Sequence, residues 1–168
     1  AGRTGVPIGD FFGRLVFALR YGTADIIFSS YLKPSSRVLF NRALKERLGM
    51  LAQWLQLDED PYIAVIDGRL VWIQDGYTPS RWYPYSEPAD SSGMSYIRNS
   101  VKVTVDAYDG TARLYAFDEK DPVLRTWGKI YPGLLTSLDT MPAEVRAHLR
   151  YPEGLFRIQA DVFTTYHM

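Results

Sequence analysis

Two tight runs of carboxylates, Asp58-Glu59-Asp60 and Asp118-Glu119 with Asp121, are the residues of this 168-residue chain best suited to chemistry. Facing acids can act as proton donor and acceptor in glycoside hydrolysis. Clustered carboxylate oxygens also suit hard cations such as Ca²⁺. Neither run follows the EF-hand order, and both fall between elements, where a solvated run of charge is the ordinary outcome. The two histidines, His148 and His167, are too far apart in sequence for a helical metal pair, and His148 fits a surface or capping role. Absence of Cys removes disulfides, thiolate metal sites and a Cys nucleophile. The sequence contains no Gly-x-Ser-x-Gly elbow, Gly-x-Gly-x-x-Gly turn or P-loop. No catalytic residue, metal-ligand set or cofactor is therefore assigned.

The best candidate for recognition is a polar and aromatic stretch, residues 78–94, in which Arg81, Trp82, Tyr83 and Tyr85 are gathered. These residue types dominate binding hot spots. Loops of this length inside a compact domain are usually functional or mobile. Two readings stand. The rings fold back to plug the core, or they contact a protein, a glycan or a small ligand. The second predicts that at least two of Trp82, Tyr83 and Tyr85 stay solvent-exposed.

The elements around this loop are read from apolar spacing. Residues 1–9 read as an entry linker. Asp10 is placed to cap a helix carrying Phe11, Phe12, Leu15, Val16 and Leu19, with Gly22 as its stop. That helix is either buried or lies at an interface such as a membrane surface. A short helix from Thr23 to Ser29 follows. Ser35 or Ser36 is then expected to cap a longer helix, to Leu55, with Phe40, Leu44, Leu48, Leu51 and Leu55 on one side and an Arg42–Glu46 pair opposite.

Near Pro61 the period changes to two. Residues 62–66 and 70–73 flank Asp67-Gly68 as one hairpin, apolar on both faces and so expected to be central. Val101, Val103 and Val105 alternate with Lys102, Thr104 and Asp106 in a second hairpin, turning at Asp109-Gly110. A two-residue loop there sets Asp106 opposite Arg113 on a solvent face. Helices return over 122–131, 142–149 and 152–166, opening on Pro122, Pro142 and Pro152. The expected fold class is α+β: an antiparallel sheet built from two hairpins, with helices from both chain ends packed on it as a single soluble domain, residues 1–168.

Charge balances at 19 Lys/Arg against 19 Asp/Glu, which gives no global case for nucleic-acid binding. The distribution is uneven, with residues 1–57 basic and 58–100 acidic. No stretch reaches the roughly 18 apolar residues that span a bilayer. The chain opens on Ala1 and closes on His167-Met168 while an apolar pattern still runs, as expected of a piece of a longer protein.

An ordered series of short motifs carries a resemblance. It runs Asp60-Pro61-Tyr62, Asp67-Gly68-Arg69-Leu70-Val71-Trp72, Arg81-Trp82-Tyr83-Pro84-Tyr85-Ser86, and Tyr96-Ile97-Arg98-Asn99-Ser100-Val101-Lys102. Asp106-Ala107-Tyr108-Asp109-Gly110, Lys129-Ile130-Tyr131-Pro132, His148-Leu149-Arg150-Tyr151-Pro152 and Thr164-Thr165-Tyr166-His167-Met168 complete it. Together these resemble uncharacterised protein family 0182, large bacterial membrane proteins of unknown function. The resemblance implies several N-terminal membrane spans followed by a large soluble region, of which this chain is the first part. It supplies no catalytic residues. The expectation is a non-catalytic, extracytoplasmic interaction or structural domain of a cell-membrane protein. Its partners would be the remainder of its own chain or an envelope protein, and no nucleic acid. The alternative is part of an enzyme or binder acting on envelope carbohydrate or lipid through carboxylates.

Overall fold

The computed structural model describes residues 5–39, 43–88 and 92–167. The chain divides into two compact units, residues 1–43 and 44–168.

The first unit holds β1 (Val6–Pro7), α1 (Phe11–Tyr21), α2 (Asp25–Phe28) and β2 (Arg37–Val38), with β1 and β2 paired antiparallel. Asp10 stands at the N-cap of α1, but its side chain makes no capping bond. Gly22 ends the helix in the left-handed region, and its N–H reaches the Ala18 carbonyl. The Arg14 guanidinium donates to the carbonyls of Leu32 (2.6 Å) and Ser29, tying α1 to the segment after α2. The expected helix from Ser36 is not there: residues 37–38 are strand, and Ser36 Oγ accepts from the Lys33 N–H. Phe40 of that expected stripe, and Arg42 of the expected Arg42–Glu46 pair, lie outside the described residues.

The second unit begins with α3 (Leu44–Leu51), shorter than the sequence predicts, followed by β3 (Gln56–Leu57). The chain turns after Leu51, and that turn carries Ala52 and Leu55 into the core while Leu51 stays exposed. β4 (Tyr62–Ile66), β5 (Arg69–Ser80), β6 (Tyr96–Asp106) and β7 (Ala112–Ala116) form an antiparallel meander. Then come α4 (Pro122–Ile130), β8 (Leu135–Ser137), α5 (Ala143–Ala147) and α6 (Glu153–His167). The six-stranded sheet has the order β3-β5-β6-β7-β8, with β4 beside β5 as well.

The fold is α+β, as expected, but the sheet is mixed. β8 runs parallel to β7, with Leu114, Tyr115 and Ala116 opposite Leu135, Thr136 and Ser137. Parallel neighbours need a crossover, and α4 supplies it.

One sheet face buries Val101, Val103, Val105, Leu114 and Ala116 against Leu48, Leu55 and Leu124, from α3, its following turn and α4. The other buries Ile73, Ala64, Ile66 and Tyr115 against Met141 and Val145 at α5. This two-sided cover overturns the expectation that Lys102 and Thr104 face solvent: both are buried. It also reverses the place of the first hairpin. β5 is central, whereas β4 is an outer strand whose Ile63 and Val65 are exposed.

The turn at Asp67-Gly68 has positive φ at both residues, 49° and 72°, the pattern that matches strand twist. The second hairpin turns differently. Thr104, not Asp106, stands opposite Arg113. The Asp106 carboxylate accepts from the N–H groups of Tyr108 (2.8 Å) and Asp109 (3.1 Å), which folds residues 107–110 out of the ladder. Asp106 pairs instead with Arg69 at 2.7 Å. The register moves by two residues, so the apolar face is unchanged while the polar partners differ.

Candidate functional site

Most of the polar groups with chemical potential converge on β5 and β6, and the sheet buries them. At Gly76/Tyr77 the ladder slips: Gly76 faces Val101 and Tyr77 faces Asn99, leaving Ser100 as an extra residue. A Cβ on Gly76 would stand 2.6 Å from the Leu55 side chain, so only glycine allows this approach. The slip turns Ser100 and Thr78 towards Asp121, the N-cap of α4. Asp121 is fully buried and accepts from Ser100 Oγ (2.6 Å), Thr78 Oγ1 (2.5 Å), the Tyr96 hydroxyl (2.7 Å) and the N–H groups of Val123 and Leu124. Burial works to raise its carboxyl pKa, but the bonds from Ser100, Thr78 and Tyr96 outweigh burial and hold it below the ordinary range. Tyr96 is pushed up in turn by burial and by its bond to Asp121.

A second carboxylate, Asp58, is buried at the end of β3. It accepts from the Tyr77 hydroxyl and from the N–H groups of Asp60 (2.8 Å) and Gly154 (3.1 Å). The Tyr77 oxygen accepts in turn from the Leu155 N–H at 3.2 Å, so the start of α6 is fastened to β5. Burial opposes ionisation of Asp58 as well, and the Tyr77 bond with the backbone donors prevails, leaving its pKa lowered. The third group is an ion pair. Lys102, 2% exposed, donates to Asp75 and, at 3.2 Å, to the Arg150 carbonyl. Asn99 donates to the same Asp75 oxygen at 3.0 Å.

Two hollows flank the Arg150–Pro152 segment above this ion pair. One, of about 670 Å³, is lined by Asn99, Lys102, Phe117, Tyr151 and Leu155 among others. The other, of about 320 Å³, is lined by Asp58, Asp60, Asp75, Arg150 and Glu153 among others. Their acids are engaged: Asp60 pairs with Arg150 at 3.5 Å, Glu153 with Arg157, and Asp118 beside the larger hollow with Arg98 at 2.7 Å. Among the described residues no three His, Asp or Glu side chains are grouped to hold a metal ion. The carboxylate runs noticed in the sequence thus separate. Asp58 and Asp121 go inside as hydrogen-bond acceptors, while Asp60 and Asp118 take exposed cations.

The loop between β5 and β6 spans residues 81–95, because strand structure persists through Ser80. Trp82 is 91% exposed and Tyr85 fully so, with Tyr85 at φ +58°. Tyr83 is half-covered and stacks on Tyr96 at 5.1 Å. Ser95 fastens the loop base, accepting from the Tyr83 N–H at Oγ and from Ser86 Oγ at its carbonyl. The four candidate residues do not converge. Arg81 and Trp82 line a hollow of about 500 Å³ with Gln56, Ser92 and Met94, whereas Tyr83 lies against Tyr96. Across the loop, Glu87, Pro88, Met94 and Tyr96 face Ile158, Val162 and Tyr166 of α6 around a groove of about 580 Å³. Helix α6 has no buried residue along its 15 positions, and Phe156, Phe163 and Tyr166 are exposed.

Sequence reasoning missed the buried network on β5 and β6. Its visible trace is a set of polar residues, Gln74, Asp75, Thr78 and Lys102, inside otherwise apolar strands. A polar residue in a strand covered on both sides requires a partner.

These features define an α+β domain with a sheet covered on both faces, a polar seam and exposed aromatic surfaces. The chain belongs to Uncharacterised protein family (UPF0182), whose model matches residues 1–168. It is 46% identical over 167 residues to a UPF0182 protein of Cupriavidus necator, covering 99% of this chain and 18% of that relative. A UPF0182 protein of Rhodococcus jostii is 48% identical over 181 residues, covering 99% and 18%, and one of Saccharopolyspora erythraea is 43% identical over 184 residues, covering 100% and 19%. The chain therefore spans less than a fifth of these relatives. No solved structure matches it. Among the described residues no helix is long and apolar enough to cross a membrane.

Proposed function

We propose that this segment is a non-catalytic interaction and structural domain of a bacterial cell-membrane protein, lying outside the cytoplasm and packing against the rest of its own chain. The observation that carries the reading is α6. A 15-residue helix with Phe156, Phe163 and Tyr166 exposed and nothing buried is costly in water, and apolar faces of this kind mark contact surfaces. The relatives offer four-fifths of a chain beyond the matched part to cover it. The aromatic loop beside α6, with Arg81, Trp82, Tyr83 and Tyr85, is the second surface, open to the same chain or to an envelope partner. Membrane attachment and extracytoplasmic placement rest on the family resemblance. Glycoside chemistry needs a carboxyl that carries a proton near neutral pH. The buried acids Asp58 and Asp121 have lowered pKa values, which weighs against the enzymatic alternative.

The test uses the full-length protein in its bacterial host. Protease added to intact spheroplasts should digest this segment, and the protein should fractionate with membranes. Protection until lysis would place the segment inside. A separately expressed remainder of the chain should capture this segment, and Phe156→Asp with Phe163→Asp should abolish capture. Equal capture of the double variant would remove α6 from the contact.

A further inference from the structure

We propose that the first unit is a membrane-surface anchor, docking on an anionic bilayer through an exposed stripe on α1. The inference goes beyond the packing of α6 and does not depend on it. Helical geometry sets Phe12, Val16 and Leu19 one above another at i, i+4 and i+7. All three are open to solvent, at 70%, 47% and 76% exposure. Phe11, Tyr21, Phe28 and Tyr31 are exposed as well, so seven large apolar or aromatic side chains face water within residues 11–31. A helix of 11 residues is about 16 Å long, roughly half a bilayer core, so α1 can lie in the headgroup layer but cannot cross.

Charge selects the bilayer among the possible occupants. Residues 1–43 contain six Lys/Arg and two Asp, whereas residues 44–168 contain 13 Lys/Arg and 17 Asp/Glu. The basic unit is drawn to anionic headgroups, whereas the acidic composition of the second unit gives it no such attraction. Arg20 precedes Tyr21 and Lys33 follows Tyr31 by two residues, all four exposed, and at the headgroup boundary a ring can bury its body while a cation meets phosphate.

The 168-residue chain is tested by co-sedimentation with vesicles of phosphatidylcholine alone and of phosphatidylcholine mixed with phosphatidylglycerol. Binding is expected to be at least about tenfold tighter to the anionic vesicles and to fall as NaCl is raised. Phe12→Ser with Leu19→Ser should weaken it at least about tenfold while circular dichroism and the melting temperature stay near the parent's, because both side chains already face water. Ile63→Thr with Val65→Thr, exposed apolar positions in the second unit, should bind as the parent does. The proposal is overturned if the parent ignores anionic vesicles, or if the Phe12/Leu19 variant binds equally. It is also overturned if the Ile63/Val65 control weakens binding as much. A dimer that forms without vesicles and is dissociated by Phe12→Ser with Leu19→Ser would assign the stripe to a second copy instead.

Discussion

Replacing Asp121 by Asn keeps the shape of the side chain and removes its charge. Oδ1 accepts from Tyr96 and Val123, and Oδ2 from Thr78, Ser100 and Leu124. Whichever oxygen becomes an amide, one backbone N–H, of Val123 or of Leu124, then faces another donor, and the Tyr96, Thr78 and Ser100 hydroxyls all lose a charged acceptor. Hydrogen bonds to a charged acceptor are worth about 1.5–3 kcal/mol each, so the loss at pH 7 is about 3–5 kcal/mol. The pH dependence follows from the lowered pKa. An acid whose folded pKa lies below its unfolded value of about 3.9 contributes stability above that value and loses it as pH falls through the folded pKa. The parent should therefore surrender this contribution in acid while the Asn variant has none to surrender. Urea unfolding at pH 7 and pH 3 should show a large gap between the two proteins that narrows at pH 3. A loss below about 1 kcal/mol at pH 7, or a gap that does not narrow, would refute the account of Asp121 as an ionised hub.

Lys102→Met should cost about 3–5 kcal/mol because it strands Asp75 in the interior, and adding Asp75→Leu should recover part of that loss, as read by a double-mutant cycle in urea. Trp82→Ala and Tyr85→Ala should each stay within about 0.5 kcal/mol of the parent, since both rings already face solvent. A large drop in melting temperature for both would return the rings to the core.

The sequence made the elements with strong local signals legible. Asp121-Pro122 opens α4, Asp67-Gly68 makes its turn, and Val101, Val103 and Val105 share a buried face with Leu114. Other features depend on groups distant in sequence. Periodicity shows a residue's face but not whether that face is covered twice, so Lys102 read as a solvent residue. Counting two residues at Asp109-Gly110 left out the Asp106 side chain, which outcompetes the ladder for two N–H groups. The parallel strand β8 has only three residues, Leu135–Ser137, too few for alternation to register. The aromatic loop was found as a stretch, but its division between a hollow at Trp82 and a ring stack at Tyr83 depends on Tyr96, which follows the loop.

The outer position of β4 bears on how the chain resists edge-to-edge association. Its sequence, Tyr62-Ile63-Ala64-Val65-Ile66, is uncharged, β-branched and free of proline, and it pairs only with β5 among the described residues. Such a strand is a template for a stranger's backbone, and five-residue stretches of this composition seed aggregates. The sequence guards both ends. Asp60-Pro61 precedes the strand and Asp67 follows it, so any chain adding to β4 would meet a carboxylate at either margin and a residue without an N–H at the start. These gatekeepers make Asp60, Pro61 and Asp67 matter for solubility at high concentration more than for the stability of the fold.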